Sequence, residues 1–164
     1  MPRHAETRAL PWSAAQMCDL VADIGRYAEF LPWVQAMRIH PRKNDQPDSV
    51  VIADMVVGFR MVRERFTSRV TLDRPGHIHV EYLDGPLKYL RNDWHFRDAP
   101  GGCEIDFAVD FEFKNRMFER LAGLFFAQAF ERMVAAFEAR AAAVYGTLSA
   151  QASGINSASA TSAA

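Results

Sequence analysis

The hydrophobic pattern near the C-terminus predicts one long amphipathic helix, from Asn115 to about Tyr145. Large apolar residues recur there at steps of three and four positions, which places them on one face of a helix. That face consists of Phe118, Leu121, Ala122, Phe125, Ala129, Met133, Ala136 and Phe137. At about 1.5 Å per residue the helix would be roughly 45 Å long. We therefore expect a broad apolar partner surface elsewhere in the chain.

The first part of the chain predicts a strand and two short helices. The strand covers His4–Leu10, and a capping box formed by Ser13 and Gln16 predicts the start of the first helix. A second short helix is expected over Arg26–Phe30. It should end before Pro32, because the residue that precedes a proline is disfavoured in the helical conformation.

Between these helices and the long helix, apolar and polar residues alternate along about six strands. Such alternation is typical of an antiparallel sheet with one buried and one solvated face. The last strand is the clearest case, with apolar residues at every second position from Cys103 to Phe113. Gly58 is expected to form a tight turn or a bulge. The pattern predicts an α+β fold in which a curved sheet grips the long helix and leaves an elongated apolar cavity.

Composition narrows the class of protein. The 164 residues predict one domain over residues 1–146, followed by an Ala/Ser-rich disordered tail over residues 147–164. The 19 basic and 20 acidic residues nearly cancel, so DNA binding is not expected. Cys18 and Cys103 are interpreted as reduced core thiols. With no secretory or membrane-spanning segment, a cytoplasmic location is expected, and peripheral contact with the inner membrane stays open.

The sequence carries no motif of a known catalytic, phosphate-binding or metal site. His77 and His79 would share a strand face and are able in principle to share a metal ion, but no third ligand lies nearby in sequence, which favours solvated histidines. The acidic residues of the last strand are interpreted as a solvated outer face. Arg63, Arg65 and Arg69 are expected to pair with those acids across the sheet. We therefore expect no catalytic residue, no metal and no cofactor.

Three polar residues are exceptions to the pattern. Glu64 and Ser68 fall on the same face as Phe66, and Asn92 falls between apolar neighbours. Polar groups on an apolar face need hydrogen-bond partners or serve a ligand. Two interpretations stay open: a buried hydrogen-bonded network or local bulge, and anchors for a carbonyl or hydroxyl group of a ligand.

Two apolar clusters lie at the ends of elements, over Phe30–Trp33 and Val57–Phe59, with Met61 close by. They predict either the closing plug of the core or the rim of a ligand entrance. A rim with Arg60 and Arg63 beside it would also suit contact with anionic lipid head groups.

Several motifs resemble, in register, the coenzyme Q-binding START-type family, whose bacterial members include proteins described as ribosome association toxins. The resemblance runs from Thr7 to Ala143. It rests on segments Val21–Trp33, Val57–Phe59, Glu64–Val70, Asp84–Pro86, Trp94–Phe96, Asp106–Phe113 and Phe125–Arg140. Arg60, Met61 and Val62 carry no recognisable feature of that family.

The resemblance implies a helix-grip (START/Bet v 1-like) fold with a hydrophobic tunnel. It also implies binding of ubiquinone or another isoprenoid lipid, and a non-catalytic role that supports respiratory electron transport. Ubiquinone would be a bound ligand and not a redox cofactor. With the polar exceptions added, the predicted cavity residues are Tyr27, Phe30, Leu31, Pro32, Trp33, Val57, Phe59, Glu64, Phe66, Ser68, Asn92, Trp94, Phe107, Val109, Phe111, Phe118, Leu121, Phe125, Met133 and Phe137.

Four methionines are expected to help such a groove adapt to varied tails: Met55, Met61, Met117 and Met133. Two other functions stay open at this point. One is a regulator that contacts the ribosome, as the toxin names suggest. The other is an enzyme of the polyketide cyclase or aromatase kind, with Glu64 as its general acid or base.

Overall fold

The computed structural model describes residues 3–59 and 62–146. Its elements follow the predicted order of one strand, two helices, six strands and one long helix. They are β1 (Arg3–Leu10), α1 (Ala14–Ala22), a 3-10 helix (Ile24–Glu29), β2 (Val34–Ile39), β3 (Val50–Phe59), β4 (Val62–Asp73), β5 (His77–Asp84), β6 (Leu87–Ala99), β7 (Gly102–Phe113) and α2 (Arg116–Tyr145).

The seven strands form one antiparallel sheet in the order β1-β7-β6-β5-β4-β3-β2. Strands β2 to β7 are joined in sequence, and the N-terminal strand β1 pairs with β7 from Arg3 opposite Asp110 to Leu10 opposite Cys103. Helix α1 and the 3-10 helix connect β1 to β2 at the opposite edge of the sheet. The α+β helix-grip prediction, a curved sheet holding a long C-terminal helix, is confirmed.

Helix α2 is capped at both ends. The Asn115 side-chain oxygen accepts from the backbone N–H groups of Met117 (2.8 Å) and Phe118 (3.3 Å), which satisfies donors that have no partner in the first helical turn. At the other end Gly146 takes a positive φ of 82° and donates to Ala142 O. The buried residues of α2 are Phe130 at its midpoint and Phe137 and Ala141 in its second half, which therefore forms part of the main core.

That core lies where α1 packs between the sheet and the C-terminal half of α2. Its buried residues include Met17, Cys18, Val21, Ile78 and Phe137. The capping box is confirmed, since Gln16 N donates to Ser13 Oγ (3.1 Å) and Ser13 N donates to Gln16 Oε1 (3.0 Å). Cys18 and Cys103 are both free thiols in this core, as predicted.

The prediction for Gly58 was wrong. Gly58 lies within β3, directly opposite Arg63 of β4, and forms no turn. The irregular pairing lies instead in the neighbouring strand β2, between Val34 and Ala36. A side chain at position 58 would collide with the Gln35 side chain that lies over it. The glycine therefore allows the Gln35 side chain to lie close to β3.

Two predictions concern residues outside the described part of the chain. One is the disordered tail over residues 147–164, and with it the domain boundary at residue 146. The other is the rim position of Met61 and its neighbour Arg60. Both stay predictions.

Candidate ligand-binding cavity

The space between the concave face of the sheet and α2 forms two adjoining chambers. The outer chamber has a volume of about 330 Å³ and the inner chamber about 260 Å³. Met55, Phe66, Leu90 and Val109 line both, so the two chambers meet at these side chains. Each is of the order of size at which pockets hold small organic ligands.

The outer chamber is almost wholly apolar. Its walls come from the hairpin of β3 and β4, the end of β7 and the N-terminal half of α2. The lining residues are Trp33, Met55, Val57, Phe59, Val62, Glu64, Phe66, Leu87, Leu90, Val109, Phe111, Phe113, Phe118, Leu121, Ala122, Phe125, Phe126 and Ala129. Glu64 is the only charged residue in this set.

Glu64 lines the chamber because the side chains of β4 point alternately to the two faces of the sheet. Val62, Glu64 and Phe66 share the inward face, whereas Arg63 and Arg65 are exposed on the other face. Within residues 3–59 and 62–146 the Glu64 carboxyl has no hydrogen bond and no ion pair. A carboxyl group in an apolar wall with no partner among these residues is available to a polar group of a ligand.

Aromatic rings pack against each other in the wall of the outer chamber. The ring centroids of Trp33 and Phe59 are 5.8 Å apart, and those of Phe59 and Phe125 are also 5.8 Å apart. Trp33 has a φ of 67°, a left-handed conformation that bulky residues rarely adopt and that costs about 1–3 kcal/mol. The fold therefore holds the Trp33 indole in this wall at a cost in stability.

The inner chamber has more polar groups, but most of them are bound to each other or to the backbone. Asn92 donates to Ala108 O (3.0 Å) and accepts from Trp94 Nε1 (2.9 Å). Tyr82 Oη accepts from Leu87 N (3.0 Å). Its lining consists of Val21, Ile24, Tyr27, Leu31, Met37, Ala53, Met55, Phe66, Ser68, Val70, Ile78, Val80, Tyr82, Leu90, Asn92, Trp94, Phe107, Val109, Met133 and Phe137.

Tyr27 closes the inner chamber on the side of the 3-10 helix. Its hydroxyl donates to Val21 O, and its ring packs edge-on against Phe137, with the centroids 5.7 Å apart. Burial, with a smaller contribution from the negative charge of Asp23, raises the pKa of the Tyr27 hydroxyl well above its usual range. The neutral hydroxyl is thus part of the wall and not an ionisable group near neutral pH.

The structure brings all but two of the predicted cavity residues to these chambers. The outer chamber receives Trp33, Val57, Phe59, Glu64, Phe111, Phe118, Leu121 and Phe125, and the inner one Tyr27, Leu31, Ser68, Asn92, Trp94, Phe107, Met133 and Phe137, with Phe66 and Val109 shared. For Asn92 the hydrogen-bonded interpretation matches the structure. Ser68, like Glu64, has no side-chain hydrogen bond within the described residues.

Phe30 and Pro32 were predicted to line the cavity, but neither lines a chamber. Phe30 packs on the far side of Phe137, at 5.4 Å between centroids, and under the Arg140 guanidinium at 5.0 Å. Tyr27 of the 3-10 helix and Leu31 just after it line the inner chamber, whereas Phe30 between them does not. Met117, predicted to help line the groove, lies on the outside of α2 and is 61% exposed.

Sequence reasoning missed several lining residues. Leu87 was not assigned to a strand, because the preceding Asp84-Gly-Pro86 segment indicates a break, yet β6 begins at Leu87. Tyr82 and Leu90 line the inner chamber but were not among the predicted cavity residues. Strand alternation alone would have added both residues to the prediction.

The outer face of the sheet carries the other candidate residues. The acids of β7 form surface ion pairs, as between Arg97 and Glu104 (2.6 Å) and between Arg97 and Asp106. The expected pairing of the β4 arginines with these acids was wrong, because β5 and β6 lie between β4 and β7. Arg69 instead pairs with Glu81 of β5 at 3.1 Å.

His77 and His79 lie half-buried on this outer face, and both contact Asp93 of β6. Burial alone would raise the pKa of the Asp93 carboxyl, but the hydrogen bonds from the two imidazoles hold it below its usual value. The sequence offered no third ligand near these histidines. The sheet supplies one by pairing β5 with β6.

An open apolar cavity between a curved antiparallel sheet and a long C-terminal helix defines a START-type helix-grip protein. The chain belongs to the polyketide cyclase / dehydrase and lipid transport family, whose profile matches residues 10–138. The predicted relation to coenzyme Q-binding and ribosome association toxin proteins is confirmed by the relatives that follow.

Three similar proteins illustrate the relation. The mitochondrial coenzyme Q-binding protein COQ10 homolog B of Xenopus laevis is 34% identical over 87% of this chain and 59% of its own length. The ribosome association toxin RatA of Rickettsia prowazekii is 34% identical over 82% of this chain and 92% of its own length. The solution structure of the 18 kDa protein CC1736 from Caulobacter crescentus is 34% identical, with a TM-score of 0.73 over 90% of this chain and all of that one.

The chain thus spans well under two thirds of the Xenopus relative, but nearly all of the Rickettsia relative. None of the described helices combines the length and the hydropathy that crossing a membrane requires.

Proposed function

We propose that this protein binds ubiquinone, or a similar isoprenoid lipid, in the two chambers and serves as a non-enzymatic carrier that supports respiratory electron transport. The outer chamber carries the proposal, because it is open and lined by apolar side chains apart from Glu64. Each buried CH₂ group contributes about 0.8 kcal/mol. An isoprenoid tail therefore gains affinity here without specialised chemistry.

Glu64 in the outer chamber and Ser68 in the inner chamber are alternative proposed anchors of the ring, since four residues along β4 separate them by about 13 Å. An ionised carboxylate only accepts hydrogen bonds, whereas a hydroxyl also donates. Glu64 therefore suits the hydroxyl group of a reduced quinone, and Ser68 suits a carbonyl group. Glu64→Gln should weaken binding of the reduced form more than that of the oxidised form, and equal affinities of the variant and the wild type would contradict this role.

The direct test of the carrier proposal is organic extraction of the protein purified from its own host, with mass spectrometry of the extract. We expect a quinone or other isoprenoid near one molecule per chain. An empty extract, which stays empty after incubation with ubiquinone, would overturn the proposal.

A non-catalytic role is proposed because the chamber linings lack an acid–base pair. Among the described lining residues of both chambers, Glu64 is the only carboxylate, and the lining sets contain neither histidine nor cysteine. Acid–base chemistry on a cyclised substrate needs a positioned proton donor and acceptor. Conversion of an aromatic polyketide precursor by the purified protein would contradict this part of the proposal.

Exchange with a membrane surface is the proposed route into the outer chamber. On α2, Leu124 is 71% and Met117 is 61% exposed, beside the exposed Arg116 and Arg120. Apolar side chains flanked by cations suit the interface of an anionic bilayer. In flotation with phosphatidylglycerol vesicles, Leu124→Glu should reduce binding, while Val144→Glu, at a 53% exposed position near the other end of α2, should not. Equal flotation of the wild type and both variants would exclude this route.

Ribosome contact is a second candidate function. It is supported by the relatives named RatA, of which the chain covers 92% in Rickettsia prowazekii and 90% in Escherichia coli. The near-zero net charge gives no general affinity for RNA, so a specific protein or RNA surface would be required. Cosedimentation with ribosomal subunits at physiological salt tests it, and its absence would leave the carrier function alone.

A further inference from the structure

Four polar side chains form a compact patch on the outer face of β5 and β6. Strand pairing sets His77 directly opposite His95, and His79 directly opposite Asp93. The residues that alternate with them, Ile78 and Val80 on β5 and Asn92 and Trp94 on β6, line the inner chamber. The patch therefore lies on the other side of the same two-stranded wall.

The side chains converge on one carboxylate oxygen. Asp93 Oδ1 lies 2.8 Å from His77 Nε2 and 2.7 Å from His79 Nδ1. The imidazole rings of His77 and His95 stack with centroids 4.2 Å apart. One ligand atom from each of His77, Asp93 and His95 lies within 4.8 Å of the other two.

We propose that His77, Asp93 and His95 form a binding site for a transition metal ion of the zinc type, with His79 as the positioning residue for the Asp93 carboxylate. Two imidazoles and one carboxylate are ligands that Zn²⁺ prefers, whereas Mg²⁺ and Ca²⁺ prefer oxygen ligands throughout. A hydrogen bond from a neighbouring imidazole to a ligating carboxylate fixes its direction, as second-layer partners commonly do.

The rearrangement that binding needs is small. Ligands at about 2.0–2.2 Å from a tetrahedral zinc ion lie about 3.4 Å from one another, against a present spread within 4.8 Å. The nitrogen lone pairs of parallel stacked rings do not converge, so one ring must rotate out of the stack. His95 is exposed, and rotation of its side chain does not disturb the core.

Neighbouring charged groups do not compete for the site. Asp106, directly opposite His95, is held by Thr7 and Arg97. Glu81 lies 3.9 Å from His79, on the side away from His77, and pairs with Arg69. Three protein ligands leave one position of a tetrahedral ion for water or an external group.

The test is titration of the tag-free protein with ZnCl₂ by calorimetry and with Co²⁺ by visible absorption. We expect one ion per chain and the intense absorption of tetrahedral Co²⁺. His77→Gln and Asp93→Asn should each weaken binding by about tenfold or more, and His79→Gln by less. His40→Gln is the matched control, because His40 Nε2 also lies 2.9 Å from a carboxylate, that of Asp54, but outside any such cluster of three ligands.

Binding that His77→Gln and Asp93→Asn leave unchanged, or that His40→Gln weakens equally, would overturn the site, as would absence of saturable binding. The result is independent of the carrier function, since the patch lies outside both chambers. Loss of zinc binding with unchanged quinone loading would separate the two.

Discussion

The inner and outer chambers share the concave face of one sheet but differ in what covers it. The inner chamber is closed by α1, the 3-10 helix and the C-terminal half of α2, where Phe137 is buried. Opposite the sheet, the outer chamber is lined by the N-terminal half of α2, in which no residue before Phe130 is buried. Polar groups of the inner chamber are mostly paired within the protein, whereas Glu64 in the outer chamber has no hydrogen bond or ion pair with the other described residues.

This contrast indicates that the inner chamber contributes mainly to stability and the outer chamber mainly to ligand binding. A wall whose polar groups are satisfied and whose rings interlock serves as core. An open apolar wall with a carboxyl that has no partner among the described residues is costly to the free protein and is expected to serve a ligand. The four predictions that follow test this division, in order of decreasing effect.

The largest effect is expected from removal of a ring in the closed region. Phe137 contacts Tyr27, Phe30 and Trp94 edge-on, so Phe137→Ala should lower the free energy of unfolding by about 3–5 kcal/mol. Phe125→Ala, in the partly exposed outer wall, should cost only about 1 kcal/mol. Urea denaturation measures both, and equal losses would contradict the division.

Filling the outer chamber should abolish most ligand binding. Ala122 lines that chamber, and Ala122→Trp would occupy part of its volume. We expect ubiquinone binding to weaken by about 100-fold, or roughly 2.8 kcal/mol. Ala127→Trp, at an exposed position of the same helix, is the control and should bind like the wild type. If both variants keep full affinity, the outer chamber is not the site.

Substitution of the two polar residues Asn92 and Glu64 should change stability by different amounts. Asn92→Leu leaves Trp94 Nε1 and Ala108 O without their partner, at an expected cost of about 2 kcal/mol in stability. Glu64→Gln breaks no bond to the other described residues and should change stability by about 0.5 kcal/mol or less. Thermal unfolding of both variants would show the contrast. A destabilised Glu64→Gln variant would mean that Glu64 is structural.

The smallest expected effect is on the stability of the protein at alkaline pH. The folded-state pKa of Tyr27 is raised above that of the unfolded chain, so its contribution to stability is complete below about pH 10 and is lost as pH rises further. Tyr27→Phe lacks this hydroxyl and should lose less stability between pH 9 and pH 11, by about 1 kcal/mol. Parallel pH profiles of the variant and the wild type would contradict the burial of the Tyr27 hydroxyl.

Sequence patterns predicted most of the fold, because alternation and helical periodicity record which face of each element is buried. Helix α2, the turn at Asp73–Gly76 and the alternation of β7 all follow from such local signals. The place of Phe30 did not follow, because the second short helix was expected to run through Phe30, whereas the 3-10 helix ends at Glu29. The pairing of Asp93 with two histidines depends on strand register, which the sequence of one strand does not specify.

The burial of Asp54 is a second feature that local sequence patterns do not predict. Asp54 lies in an apolar stretch of β3, and its burial beside Thr67 (2.6 Å) and His40 (2.9 Å) depends on contacts from two other segments of the chain. Burial alone would raise the pKa of the Asp54 carboxyl, but these neighbours lower it below its usual value. No local pattern predicts such a contact.

The most direct test of binding in the cavity is a titration with a short-chain ubiquinone, followed by NMR of methyl-labelled methionines. Met55 lines both chambers, whereas Met117 is exposed on the outside of α2. We predict a saturable shift of the Met55 methyl resonance with little change at Met117. An unchanged Met55 resonance, or shifts confined to Met117, would show that the quinone does not enter the cavity.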